Sequence, residues 1–133
     1  MIRSKYDKFF YFRTVTDEDD DESPNQSLTL PCRRITGILP ISTSQITIHF
    51  EQGTTYAPST ESFNHAKNGF VNIAVNSNTS KEVIKAITEA YNSAPPGGII
   101  VIGDDSTTDV DGSTKAPKYI HKDIKSIGLI RNK

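Results

Sequence analysis

The sequence predicts an α+β fold: a mainly antiparallel β-sheet with one long amphipathic helix packed on one face. Three observations lead there. A single segment, Thr79 to Ser93, carries apolar residues at helical spacing. Several short β-prone runs flank it on both sides. Turn-forming residues separate the runs, among them Gly37, Pro40, Asn68-Gly69 and Pro95-Pro96-Gly97-Gly98.

The elements follow in order. Phe9-Phe10-Tyr11-Phe12-Arg13-Thr14 is aromatic and β-prone and predicts a first strand. Leu28-Thr29-Leu30 alternates and predicts a second, antiparallel to the first, with Pro31 at an edge or a bulge. Arg33 to Ile41, interrupted by Gly37 and Pro40, predicts a bent strand. In Gln45 to Glu51, Ile46, Ile48 and Phe50 alternate with Thr47, His49 and Glu51, which predicts a strand with one buried and one wet face. Phe70 to Val75 is a further strand.

The helix begins at Thr79, where Glu82 three residues on suggests a capping box. Val83, Ile84, Ile87, Ala90 and Tyr91 form its apolar stripe, and Lys81, Lys85, Thr88 and Glu89 face away. Pro95 and Pro96 end it, because proline lacks an amide hydrogen and clashes with the preceding turn. Ile99-Ile100-Val101-Ile102 is wholly apolar, as in a central strand covered on both sides; were it parallel to Phe70–Val75 in one sheet, the crossover would be right-handed. Tyr119 to Ile130 predicts a final strand.

The 133 residues suit a single domain, 1–133, with an acidic loop at 17–26 and polar loops at 52–68 and 103–117. An apolar fraction of 35% and a mean hydropathy of −0.45 indicate a modest core and long polar loops. A chain of this length folds without a disulfide or a metal staple. Cys32 is the only cysteine, so an intramolecular disulfide is impossible, and the residue reads as a small buried side chain. The N-terminus has no signal-peptide core, and no run approaches the ~20 apolar residues of a membrane helix. These features predict a soluble protein made in a reducing cytoplasm.

The net charge of −1 gives no general attraction to nucleic acid or to a membrane. The charge is unevenly placed. Asp17, Glu18, Asp19, Asp20, Asp21 and Glu22 supply six of the sixteen acidic residues, while residues 114–133 hold six Lys or Arg against one Asp. Such asymmetry suits contacts between subunits, and a solvated loop with a basic tail accounts for it equally well. Asp17 to Glu22 and Lys118, Lys122 and Lys125 are therefore the candidate partner-binding residues. Lysines at alternating positions also protect a strand edge from aggregation.

No catalytic constellation stands out. Asp105, Thr107, Asp109 and Asp111 alternate and could offer oxygens to Ca²⁺, but the glycine is misplaced for a calcium loop and no Glu closes it; we read a solvated turn. His49, His65 and His121 show no metal-ligand spacing. No nucleophile elbow, P-loop or dinucleotide fingerprint occurs. The expectation is a non-enzymatic protein with no catalytic residue, cofactor or metal.

The opening strand Phe9-Tyr11-Phe12-Arg13, the segments Arg34-Ile35-Thr36-Gly37 and Ile46-Thr47-Ile48-His49-Phe50, the Glu82–Tyr91 helix and the strand end Ile100-Val101-Ile102-Gly103-Asp104-Asp105 together give an order and texture that resemble those of a known group. The chain resembles the small virion structural proteins of marine tailed phages, particularly cyanophage-type capsid decoration or cement proteins. That resemblance implies a β-rich, non-enzymatic virion protein, made in the host cytoplasm and present in multiple copies or as a homo-oligomer. Its implied partner is the major capsid protein or another virion protein, with no specific nucleic acid and no membrane. The alternatives are a tail or neck component and, from another class, a small ligand- or cation-binding regulatory module. The acidic run has no counterpart in the resemblance.

Overall fold

A computed structural model describes residues 7–14, 26–51, 68–109 and 111–131. Its elements are strands β1 (Phe9–Arg13), β2 (Ser27–Pro31), β3 (Ile35–Ser42), β4 (Gln45–Glu51) and β5 (Asn68–Val75), helix α1 (Ser80–Ser93), and strands β6 (Ile99–Asp104), β7 (Lys118–Tyr119) and β8 (Ile124–Arg131). They form two four-stranded sheets, in the orders β2-β1-β6-β7 and β3-β4-β5-β8. The second sheet is antiparallel throughout, and the first is mixed because β1 and β6 run parallel. The architecture is thus mostly antiparallel β with one helix among the described residues. It is not one sheet under a long helix, since α1 has 14 residues.

One apolar cluster joins the layers. It takes Phe10 and Phe12 from β1, Leu30 from β2, Ile46, Ile48 and Phe50 from β4, and Val71, Ile73 and Val75 from β5. Val83 and Ile87 of α1, Ile100 and Ile102 of β6, and Ile124, Ile127 and Ile130 of β8 complete it. Each large side chain fully buried this way contributes roughly 1.5 to 3 kcal/mol.

The β1–β2 pairing follows the expected alternation, with Phe10 opposite Leu30 and Phe12 opposite Leu28. Pro31 ends β2, an edge strand, where a missing amide hydrogen is tolerated. The bend expected at Gly37 and Pro40 appears as two register shifts of β3 against β4, and Cys32–Arg34 form a short 3-10 turn before it. β4 has the expected bounds and buries its apolar face.

Its other face is not uniformly wet. Thr47 is buried and donates its hydroxyl hydrogen to Asn72 Oδ1 on the neighbouring strand, 2.8 Å away, which meets the polar requirement that burial creates.

Three further expectations fail at the joints. Thr79 precedes the helix, yet its hydroxyl makes no cap: it donates to the Asn76 carbonyl at 2.7 Å. Asn78 stands at φ 64, a left-handed conformation that Asn tolerates, and the chain enters the helix through a turn closed on Asn76.

β6 does not join β5. The helix crosses from one sheet to the other, and the Pro95–Gly98 turn docks on the start of β1, with Gly97 N–H donating to Asp7 O and Phe9 N–H to Gly98 O. That turn sets β6 parallel to β1, so the right-handed crossover does not arise. Nor is β6 covered on both sides, since Ile99 is 63% exposed and Val101 is half-buried.

Finally, the expected strand Tyr119–Ile130 is two strands in two sheets, parted by a turn at 120–123.

Candidate functional site

Two features distinguish the surface of the second sheet, and both concern its edges. β3 and β8 are the outer strands. On β8, both backbone groups of Ile127 are engaged by side chains of the first sheet and its flanks. The Ile127 N–H donates to both carboxylate oxygens of Asp105 at 3.1 Å, and its carbonyl accepts from Thr14 Oγ1 at 2.9 Å. β8 also carries exposed charge, at Lys125 and Arg131. Covering and charge are the usual ways an edge is kept from pairing with another chain.

β3 is built differently. Its eight residues, Ile35 to Ser42, include no charge. Ile35 and Ile38 pack against the core, while Leu39 and Ile41 are 49% and 55% exposed. Pro40 removes one donor from this edge, which limits open-ended strand addition. β3 is thus an uncharged outer strand, among the described residues, that displays two large aliphatic side chains. An open groove of about 490 Å³ adjoins it, between Ile41 and Thr43 on one side and Asn78, Ser80 and Lys81 at the start of α1 on the other.

The joint between the sheets centres on Asp105. Burial raises the pKa of its carboxyl group, an effect opposed by the hydrogen bonds from Tyr119 and Ile127. The Tyr119 hydroxyl donates to Asp105 Oδ1 at 2.5 Å, and burial together with this bond raises the pKa of the phenol. Beside it, Asp104 Oδ1 accepts from Ser106 N–H and Oγ–H at 3.0 and 2.7 Å and lies 4.0 Å from Arg13 Nε.

The expected polar loop 103–117 is therefore corrected in its first part. Gly103 and Asp104 end β6, and Asp105 and Ser106 are buried. The reading of Asp105–Asp111 as a solvated turn holds only beyond Ser106. There Thr108 bridges Thr114, and Asp111 Oδ1 accepts from Ser113 N–H and Oγ–H, which lowers the Asp111 pKa. The carboxylates of this segment point at different partners, and among the described residues no group of three or more His, Cys, Asp or Glu could hold a metal ion.

The other expected site residues scatter. The acidic run Asp17, Glu18, Asp19, Asp20, Asp21 and Glu22 lies outside the described residues, as does His65. Among the described residues, Thr14 N–H donates to Gln26 O at 2.9 Å. Lys118, Lys122 and Lys125 are exposed, on β7, on the 120–123 turn and on β8. Lys118 and Lys125 stand on edge strands, where edge protection applies.

His121 Nδ1 accepts the Asp123 N–H at 3.1 Å and is 3.6 Å from an Asp123 carboxylate oxygen. Both contacts tie His121 to Asp123 within the 120–123 turn. Cys32 is half-buried, not fully enclosed, and desolvation pushes its thiol up to about 11.

Sequence reasoning missed the buried role of Asp105 because the residue sits in a run of polar neighbours, and only the arrival of β7 and β8 encloses it. No helix among the described residues is long and apolar enough to cross a membrane. No protein-family model matches the chain, and neither a curated protein nor a solved structure is similar to it at a significant level.

Proposed function

We propose that this chain is a non-enzymatic structural subunit of a tailed-phage virion, a capsid cement or decoration protein that docks on the major capsid protein through β3. The observation that supports the reading is the asymmetry of the second sheet's edges. β8 is engaged at Ile127 by Asp105 and Thr14 and carries Lys125 and Arg131 beside the exposed Leu129, while β3 has no charge and displays Leu39 and Ile41. Pro40 and two register shifts guard β3 against strand pairing, yet no charge keeps its aliphatic side chains from another surface. Burial of Leu39 and Ile41 against a shell supplies affinity, and Pro40 stops the edge from templating a further strand. The uneven charge sets orientation on the shell, since complementary potentials govern encounter and register more than affinity.

The test is mass spectrometry of purified virions. A high copy number fits a place on the shell, a low one moves the protein to the tail or neck, and absence from the particle overturns the reading. A second measurement addresses the surface. Leu39→Lys with Ile41→Lys should remove the protein from particles while leaving its melting temperature unchanged; full occupancy by the double variant would exclude β3 as the docking strand.

A further inference from the structure

The polar segment after β6 folds back on itself. Thr108 bridges Thr114, Lys115 N–H donates to Thr107 O at 2.8 Å, and Asp109 N–H donates to Ser113 O at 2.8 Å. At the tip stands Asp111-Gly112, the one Asp-Gly pair in the chain. Gly112 has φ 86, a left-handed conformation that glycine adopts without steric cost, and open space where a Cβ would lie. The turn therefore calls for glycine here, and that choice creates a chemical liability. With no side chain to shield it, a glycine nitrogen is the one best able to attack the aspartyl side chain before it. Asp111, Gly112 and Ser113 are all exposed, so water for the reaction is at hand.

The reaction makes two demands. The Gly112 nitrogen must give up its proton and attack Asp111 Cγ, and the carboxyl must be the neutral acid, because an anion has no oxygen that can depart as water. An N–Cγ bond then forms, a Cγ–O bond breaks, and water leaves as a succinimide ring closes. Water adds back at the ring carbonyl that belonged to the Asp111 main chain, the bond from that carbonyl to nitrogen breaks, and the chain runs on through Cγ as isoaspartate. No atom is gained or lost overall. The geometry of the turn opposes both demands. Asp111 Oδ1 accepts from Ser113 N–H at 2.9 Å and from Ser113 Oγ–H at 2.6 Å, and donors on a carboxylate favour its anion. The Asp111 pKa is lowered, first by the Ser113 hydroxyl and then by the Ser113 N–H. Gly112 N–H donates to Asp109 O at 2.9 Å, so the proton that must leave is bound and the nitrogen is fixed within the turn. We propose that Asp111-Gly112 is a latent site of isoaspartate formation that Ser113 keeps closed in the folded chain. This inference is independent of where the protein acts.

The experiment incubates the full chain at one fixed, mildly acidic pH, folded and in denaturant, and follows isoaspartate at residue 111 over time. Because the product has the same mass, it is identified by the fragment ions of electron-transfer dissociation in the peptide that spans Asp111. The native chain should form isoaspartate several times more slowly when folded than when unfolded. Ser113→Ala removes the hydroxyl donor from an exposed position and should keep the melting temperature. Its folded rate should rise several-fold towards its own unfolded rate, a comparison that cancels any effect of the neighbouring side chain on the unfolded chemistry. Ser113→Thr retains the hydroxyl and should stay as slow as the native chain. Equal folded and unfolded rates in the native chain overturn the proposal. So does a ratio of folded to unfolded rate that is the same in Ser113→Ala as in the native chain.

Discussion

Gly103 on β6 lies directly against Ile127 on β8: a Cβ at Gly103 would overlap Ile127 Cδ1 and Cγ1 and come within 3.1 Å of the Tyr119 ring. Tyr119 and Ile127 are also the two residues that donate to Asp105. The bare backbone at Gly103 is therefore what lets the two sheets approach closely enough for the Asp105 bonds to form. Gly103→Ala should destabilise the fold by about 1 to 3 kcal/mol, the usual cost of overpacking a closed site. Gly37 on β3 has open space where its Cβ would be. Gly37→Ala should leave stability unchanged or raise it by up to about 1 kcal/mol, since alanine loses less backbone entropy on folding. Denaturant midpoints of the two variants check both statements, and equal effects would refute the contrast.

Ile87→Asp should unfold the protein at room temperature. Ile87 is fully buried in the cluster shared by α1 and both sheets. An unpaired carboxylate there costs several kcal/mol, against a total stability of about 5 to 15. Loss of the cooperative thermal transition is the expected readout, and an unchanged melting temperature would show that α1 does not seal the core.

The Cys32 thiol should react slowly. Burial pushes its pKa from 9.0 to about 11, so far less thiolate is present near neutral pH than in the unfolded chain. Two pKa units correspond to about a hundredfold less thiolate. Alkylation of the native protein at pH 8 should be slower than that of the denatured protein by at least this factor, measured by mass spectrometry over time. Equal rates would place the thiol in solvent.

Chelation should not lower the melting temperature. Asp105 is directed at Tyr119 and Ile127, and Asp111 at Ser113, so the alternating carboxylates do not converge. Differential scanning with and without EDTA checks this. A fall of more than a few degrees would mean that the segment 105–111 gathers around a cation.

Replacing Asp17 to Glu22 with Ser and Gly should leave the melting temperature nearly unchanged, because six adjacent carboxylates cannot all be buried and paired. If the run serves the proposed docking, assembly should weaken on this replacement, and the association of the native protein should weaken as salt rises, since exposed charges are screened beyond ~8 Å at physiological ionic strength. Its expected counterpart is a basic surface, either Lys118, Lys122 and Lys125 of a neighbouring copy or a patch on the shell. Binding that is insensitive to salt and survives the replacement would reduce the run to a solvated loop and leave docking to β3 alone.

The elements were legible in the sequence wherever the signal is local. Ile46, Ile48 and Phe50 alternate, so β4 was readable to its bounds; Val83 and Ile87 repeat at helical spacing and are buried, whereas Tyr91, at the end of the predicted stripe, is 41% exposed. Aromatic residues at Phe10 and Phe12 announced β1, and Pro95-Pro96 announced the end of the helix.

What only the tertiary structure decided is which strands meet. Periodicity states that a face is apolar and not which face covers it, so nothing in Ile99–Ile102 itself tells whether it lies beside β5 or, as the Pro95–Gly98 turn sets it, beside β1. The same limit hid the roles of Thr47 and Asp105. A polar residue is buried when a distant strand brings it a hydrogen-bond partner, Asn72 for one and Tyr119 with Ile127 for the other, and no local pattern encodes that meeting. The outer place of β3 among the described strands has the same origin, because whether a strand lies at an edge depends on the order of the others.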